Sequence, residues 1–185
     1  MFSNYEYIYV SEKNKLTHER YLWDNKCMKY VVGESVIHRR NGLATITDLK
    51  VINNNEYYIV KTLSDDSETI YAPVNGADAI IRKIMSPEEA DVVLKNLKGV
   101  LEDFNPNTKQ RRDAFKKRLS SGDVNDIAYL YRQYYFYKRD PDNVKLGKSD
   151  VDMLEYAENM LLSELCITYK VDREEIESFI SHKIV

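Results

Sequence analysis

The sequence predicts an α+β fold in which a small antiparallel β-barrel, or a strongly curled sheet, is followed by an all-α part. In the first half, short runs rich in Val, Ile, Thr and Tyr alternate with tight turns, a pattern typical of strands. From residue 86 onwards apolar residues recur at helical spacing instead. The chain has 185 residues, which is enough for one or two small domains.

Five strands are predicted, over residues 34–40, 42–52, 56–64, 67–74 and 79–84. The asparagines at 53–55 and the Ser-Asp-Asp-Ser segment at 64–67 predict hairpin turns, because these residues tolerate turn backbone. Between Ile46 and Leu49 the apolar alternation changes phase, which predicts a β-bulge. Short strands, tight turns and a bulge together favour a small barrel.

The helices are predicted from their start signals. They begin at Ser86, at about Thr108, at Asp123, at Ser149 or Asp150, and at Asp172. Five tyrosines lie in the third helix, within YLYRQYYFYK at residues 129–138. Exposed rings there could stack on nucleic-acid bases. We expect packing instead, with Tyr131, Tyr134 and Tyr135 on the inward face.

Composition indicates a globular protein, with 43% hydrophobic and 31% charged residues and a net charge of −3. No apolar run approaches the length of a membrane span, and the first residues do not resemble a secretory signal. Cys27 and Cys166 are far apart in sequence and outside any CxxC motif, so we expect free thiols. These observations predict a cytoplasmic protein that does not contact membranes.

Motifs of catalysis and metal binding are not found in the sequence. The three histidines, His18, His38 and His182, are scattered and are not paired with cysteines at zinc spacing. There is no HExxH, GxSxG or P-loop motif, and the six glycines are dispersed. We therefore expect no enzymatic activity, no cofactor, no metal and no small-molecule substrate.

Charge is unevenly distributed over the helical half. Residues 104–148 contain eleven Lys or Arg and five Asp or Glu, whereas residues 149–185 contain three and nine. The first of these segments could contact phosphate groups. A solvated helix face explains the same pattern without any ligand.

Four stretches of the chain, in order, resemble one known family. They are VGESVIHRRNGLATI (32–46), EYYIVKTLSDDSETIYAPVNGAD (56–78), RRDAFKKRLSSGDVNDIAYLYR (111–132) and LGKSDVDMLEYAENMLLSELCIT (146–168). They are similar to motifs of the CarD/CdnL family of bacterial transcription regulators. The third stretch resembles that family's RRYxxNxxKLxSGDxxxxAEVVRDL most closely. The resemblance covers about residues 29–181.

The resemblance implies a fold and a function. A Tudor-like or SH3-like barrel at residues 31–84 would dock on the RNA polymerase β subunit, and a helical domain at residues 85–185 would lie on promoter DNA. The implied polymerase-binding residues are Leu49, Lys50 and Tyr71. The implied DNA-phosphate contacts are Lys109, Arg111, Arg112, Lys116 and Lys117. Residues 1–30 would be an extension packed on the barrel.

Two departures from the family pattern concern DNA. The family's wedge tryptophan, just before its Arg-Arg pair, is replaced by the segment Asn107–Gln110, which has no aromatic residue. Its basic EKRML segment is replaced by SDVDML at residues 149–154, which carries two acids and no base. We expect weak, sequence-independent DNA binding, with Phe104 packed between the two modules rather than inserted into DNA. The alternative hypothesis is a protein–protein adaptor that has lost DNA binding.

Overall fold

The computed structural model describes residues 28–62, 68–98, 103–140 and 145–184. Within these ranges an antiparallel sheet of five strands precedes five helices, as the sequence predicted. The strands are β1 (Ser35–His38), β2 (Gly42–Ile52), β3 (Asn55–Thr62), β4 (Thr69–Pro73) and β5 (Ile81–Lys83). The helices are α1 (Pro87–Asn96), α2 (Thr108–Ser121), α3 (Val124–Arg139), α4 (Lys148–Tyr169) and α5 (Arg173–Ile184). Sheet and helices belong to one unit, Val32–Val185.

The sheet has the strand order β4-β3-β2-β1-β5. Strands β2 and β3 form the predicted hairpin, in which Asn53 and Asn54 have φ values of 50° and 63°. Asparagine tolerates this left-handed backbone, which gives the turn the twist that a two-residue hairpin needs. The predicted turn at residues 64–67 lies outside the described residues, as do residues 1–27 of the extension that was predicted for residues 1–30.

The predicted bulge is confirmed in β2. The pairing passes from Ile46 opposite Val60 to Asp48 opposite Ile59, so Thr47 is the extra residue. Before the bulge the even-numbered residues of β2 are buried, and after it the buried residue is Leu49. The bulge therefore keeps apolar side chains on the core face while the strand bends.

Several predicted boundaries differ from those of the structure by one or two residues, and two of the differences have a clear physical reason. Residues 79–80 do not belong to β5, because Ala77–Ala79 form a turn of 3₁₀ helix that follows Gly76, at φ 92°. Helix α4 begins at Lys148 behind Gly147, not at a cap on Ser149 or Asp150. Asp150 is the third residue of the helix, and its carboxylate accepts the Gly147 N–H at 3.2 Å. A carboxylate reaching back in this way replaces the side-chain cap that glycine lacks.

The other helix starts follow their predicted caps. Ser86 and Glu89 form a reciprocal capping box at α1, Asp123 accepts the Asn125 N–H at α3, and Asp172 accepts the Glu175 N–H at α5. Such caps satisfy N–H groups that the first helical turn leaves unpaired. Within the described residues, no helix combines the length and the apolar character that a membrane span requires.

The sheet and the helices meet with very little space between them. A side chain at Gly42 would come within 3.3 Å of Met160 on α4, and a Cβ at Gly122 would lie 2.6 Å from Cβ of Arg39. Only glycine fits at these two points, because both also have positive φ values of 74° and 63°. We call this contact region the sheet–helix interface.

Polar groups complete the sheet–helix interface. Glu164 on α4 binds the guanidinium of Arg82 on β5 through both carboxylate oxygens, at 2.5 and 2.7 Å, and also accepts the Met85 N–H at 3.0 Å. The Arg39 guanidinium donates to the Ser121 carbonyl, and the Tyr156 hydroxyl donates to the Arg40 carbonyl. Of the two adjacent arginines in the β1–β2 turn, Arg39 thus has a structural role for its side chain, and Arg40 contributes its backbone carbonyl.

Candidate polymerase and nucleic-acid interfaces

The three predicted polymerase-binding residues divide between the two faces of the sheet. Leu49 lies opposite Tyr58, which lies opposite Ala72, and this row of side chains is buried. The next row, Lys50, Tyr57 and Pro73, points to the other face, since successive residues of a strand alternate. Leu49 is only 8% exposed and serves the core. A docking role for it remains a prediction that its burial does not favour.

Lys50 and Tyr71 lie on the same face, Tyr71 on the edge strand β4 and Lys50 two strands further in, on β2. Tyr71 is 47% exposed, and Ile52, two residues beyond Lys50, is 39% exposed. Together with Tyr57 and Pro73 they form what we call the edge patch: Lys50, Ile52, Tyr57, Tyr71 and Pro73. Aromatic and aliphatic side chains are suited to a protein partner. Asp48, in the row of Ile59 and Tyr71, and Lys61, opposite Thr69, are exposed on the same face and add charge beside the patch.

Strand β4 forms that edge, since among the described strands it pairs only with β3. The Val74 N–H donates to the Glu56 carbonyl at 2.9 Å. Bonded pairs recur at every second residue of an antiparallel ladder, so the backbone of Thr69 and Tyr71 faces away from β3. The backbone of Pro73 also faces away from β3. A strand tolerates proline at such a position because no ladder hydrogen bond is lost there.

Helix α2 carries the predicted DNA contacts. It follows an Asn107 cap, whose side chain accepts the Gln110 N–H at 3.1 Å. Lys109, Lys116 and Lys117 are exposed and Arg112 is partly so. At 100° per residue, Lys109, Arg112 and Lys116 share one face of the helix, and Lys117 lies to one side of it. These four side chains could follow a phosphate backbone.

Arg111 points the other way. It is 5% exposed, and its guanidinium donates to the Asn105 carbonyl and to Oδ2 of Asp150, both at 2.7 Å. Arg112 donates to the other oxygen of the same carboxylate at 3.3 Å. A phosphate contact by Arg111 would require this buried pair to break, so the structure gives Arg111 a role in packing α2 against α4.

Asp150 is held ionised by these neighbours. Burial by itself would raise the pKa of its carboxyl, but hydrogen bonds from Arg111, from the Gly147 N–H and from Arg112, together with the Arg111 charge, lower that pKa below its usual value. One of the acids expected to repel DNA is therefore neutralised inside the protein. Asp152, two residues further along α4, is exposed.

Phe104 and the tyrosines belong to the helical core. The Phe104 ring meets the Phe115 ring of α2 edge-on, with centroids 6.2 Å apart, so its described contact lies within the helices rather than between the modules. Tyr131, Tyr134 and Tyr135 are buried, which confirms the packing interpretation of the YLYRQYYFYK segment. Sequence reasoning missed the structural roles of Asp150, which it considered only as a helix cap or as an acid that repels phosphate, and of Glu164, which could have been suspected as an acid within the apolar run LLSEL at residues 161–165.

The described chain thus consists of an antiparallel sheet with an exposed patch that reaches its β4 edge, followed by helices of which α2 has a basic face. Residues 30–85 match the family model of the CarD-like/TRCF RID domain, and residues 92–181 match that of the CarD C-terminal domain. The chain therefore belongs to the CarD/CdnL family, and it is a transcription regulator associated with RNA polymerase.

Proposed function

We propose that the protein is a non-enzymatic regulator of the cytoplasm that docks on the RNA polymerase β subunit through β4 and lies on upstream promoter DNA through α2. The observation that carries the proposal is the coincidence of the edge patch with an open strand edge. Both features occur in the part of the chain that matches the RID domain.

The docking mode that this edge supports is strand addition. An extended segment of the β subunit would bond to the outward backbone groups of Thr69 and Tyr71. The Tyr71 ring and the aliphatic residues of the edge patch would supply buried apolar contact, and Lys50 would meet an acidic group. Main-chain bonds would give affinity, and the side chains would select the partner.

Binding of purified β-subunit lobe, measured by surface plasmon resonance, tests this proposal. Tyr71→Ala should weaken binding at least about tenfold, as expected for a central aromatic contact. Thr69→Pro should also weaken it, because proline removes an outward N–H while the β3–β4 ladder is retained. Lys95→Glu, an exposed change on α1, is the control. Unchanged affinity in both edge variants would refute docking through β4.

The DNA part of the proposal is limited to phosphate contact. Lys109, Lys116 and Lys117 offer charges, and α2 has no exposed aromatic side chain beside them that could act as a wedge. Phe104, the ring nearest in sequence to the family's wedge position, packs on Phe115. We therefore propose binding that is weak and independent of sequence, and that does not strongly stabilise a melted promoter.

The adaptor alternative is favoured by one observation, namely that the chain has no aromatic residue at positions 107–110. It predicts intact binding to the β-subunit lobe together with no salt-dependent binding to forked promoter DNA. Measuring both on the same preparation separates the two hypotheses.

A further inference from the structure

A groove of about 740 Å³ lies where α4 ends and α5 begins. Tyr169, Val171, Ile176 and Phe179 give it an apolar lining, and Glu174 and Glu175 add two carboxylates. Phe179 is 41% exposed although it faces this groove. The groove is formed by elements that take no part in the edge patch or in the basic face of α2.

The walls of the groove are held in place by specific contacts. The Tyr169 hydroxyl donates to Oδ1 of Asp91 on α1 at 2.9 Å, and the Tyr169 ring contacts the Phe179 ring with centroids 6.0 Å apart. Burial, with the hydrogen bond to Asp91 and its charge, raises the pKa of Tyr169 to about 12, so the hydroxyl stays protonated as a donor. Lys170, at φ 57°, ends α4 and turns the chain into α5. A groove built in this way is preformed.

Its charge is negative. Glu174 and Glu175 are exposed, and Asp172 immediately precedes the helix. The nearest arginine, Arg173, is engaged elsewhere, since it donates to Glu177 at 2.7 Å and to Asn159 at 2.8 Å. Lys170, between the lining residues Tyr169 and Val171, adds one exposed positive charge, and among the described residues neither Glu174 nor Glu175 forms an ion pair. The groove therefore combines an exposed aromatic ring with an excess of negative charge.

We propose that this groove binds a segment of a partner protein in which a large apolar side chain is flanked by lysine or arginine. The apolar side chain would pack on Phe179 and Tyr169, and the basic groups would meet Glu174 and Glu175. Nucleic acid and anionic lipid surfaces carry the wrong charge for this site. The proposal does not depend on how the protein docks on polymerase or DNA.

A second copy of the chain is a poorer occupant. Its basic helix α2 has the complementary charge, but its exposed positions are Thr108, Lys109, Gln110, Asp113, Ala114, Lys116, Lys117, Ser120 and Ser121. This face has no large apolar side chain to fill the groove. A partner segment that supplies both properties fits the lining better.

Isothermal titration of the full chain with two synthetic helical peptides tests the proposal. One peptide has a leucine face and a lysine face, and the other has glutamate at every lysine position. The lysine peptide should bind at one site per chain, and the glutamate peptide should not bind. Phe179→Ala, and separately the pair Glu174→Lys and Glu175→Lys, should each weaken binding at least about tenfold. The exposed pair Glu56→Lys and Asp103→Lys is the matched control and should leave affinity unchanged.

Several results would overturn the proposal. One is that the lysine peptide does not bind. Another is that the control pair loses as much affinity as the groove variants, and a third is that both groove variants keep full affinity. Thermal unfolding of each variant shows that it is folded. Self-association in analytical ultracentrifugation that Phe179→Ala abolishes would identify a second copy as the occupant. A shift in the fluorescence of Trp23, the single tryptophan, in Phe179→Ala would point instead to residues 1–27.

Discussion

Nη2 of Arg111 donates a hydrogen bond to Oδ2 of Asp150 at 2.7 Å, and both side chains are buried. This pair attaches α2 to the first turn of α4. It means that of two adjacent arginines only Arg112 is partly available to a ligand. Two neighbouring positions with the same charge thus have different roles.

Removal of Asp150 should destabilise the fold. In Asp150→Ala the buried Arg111 charge loses its acceptor, and such changes cost roughly 3–5 kcal/mol of unfolding free energy. Urea unfolding followed by circular dichroism measures this. Asp152→Ala, at an exposed position of the same helix, should change stability by no more than about 0.5 kcal/mol. A loss of equal size in the two variants would contradict the role assigned to the pair.

The stabilisation by Asp150 should depend on pH. Because the folded pKa of Asp150 lies below its unfolded value of about 3.9, its contribution is fully present above that pH and is lost as the pH falls through the folded value. The stability difference between the wild type and Asp150→Asn should therefore be constant at neutral pH and shrink in acid. Unfolding curves measured at a series of pH values check this, and a difference that grows in acid would be the wrong sign.

DNA binding should show a shallow salt dependence. With Arg111 turned inward, Lys109, Arg112, Lys116 and Lys117 remain, and four phosphate contacts give a slope of log affinity against log salt of roughly −3 to −4. Fluorescence anisotropy of a labelled duplex measures the slope. Five contacts, as expected from the sequence, would give roughly −4 to −5.

Charge reversal separates the basic face of α2 from general charge effects. Lys109→Glu together with Lys116→Glu should abolish the binding, whereas Lys95→Glu on α1 should leave most of it. Equal losses in the two proteins would mean that binding reflects net charge and not this face.

Glu164 should couple the sheet to the helices. Glu164→Ala deprives the Arg82 guanidinium and the Met85 N–H of their acceptor, and losing a hydrogen bond to a charged group costs about 1.5–3 kcal/mol. Amide hydrogen exchange should accelerate at Met85 first, because its N–H is no longer protected by the hydrogen bond to Glu164. Exchange at Met85 that stays as slow as in the wild type would exclude this coupling.

Gly122→Ala should be more damaging than a glycine change in open space. At both Gly122 and Gly76 a side chain meets unfavourable positive φ, which costs roughly 1–3 kcal/mol. At Gly122 the new Cβ would also collide with Arg39, whereas nothing lies within 4 Å at Gly76. Thermal unfolding measures the loss of stability in each variant. An equal loss in the two would show that the sheet–helix interface accommodates the added methyl group by a small shift.

The sequence predicted most of the local structure because the signals are local. Asn53 and Asn54 specify a hairpin whatever surrounds them, and Ser86 and Asp172 cap the residues next to them. The start of β5 was misjudged because residues 77–79 are small and carry no strong signal for either a strand or a turn.

The candidate sites were predicted less well, because exposure depends on contacts between distant residues. Arg111 and Arg112 look alike in sequence, and only the position of Asp150, almost forty residues later, distinguishes them. Leu49 and Lys50 are neighbours on opposite faces, and their orientation is decided by pairing with β3. The groove beside Phe179 could not be seen from helical spacing, since it results from the turn at Lys170.

The extra residue Thr47 has a consequence for how this protein could be altered. Pairing on either side of it is already in register, with Ile46 opposite Val60 and Asp48 opposite Ile59. Deleting Thr47 would therefore leave Lys50 facing outward and Leu49 facing inward, while removing the local bend. The curvature of β2 can therefore be changed by deleting one residue, without changing which side chains of the strand face outward.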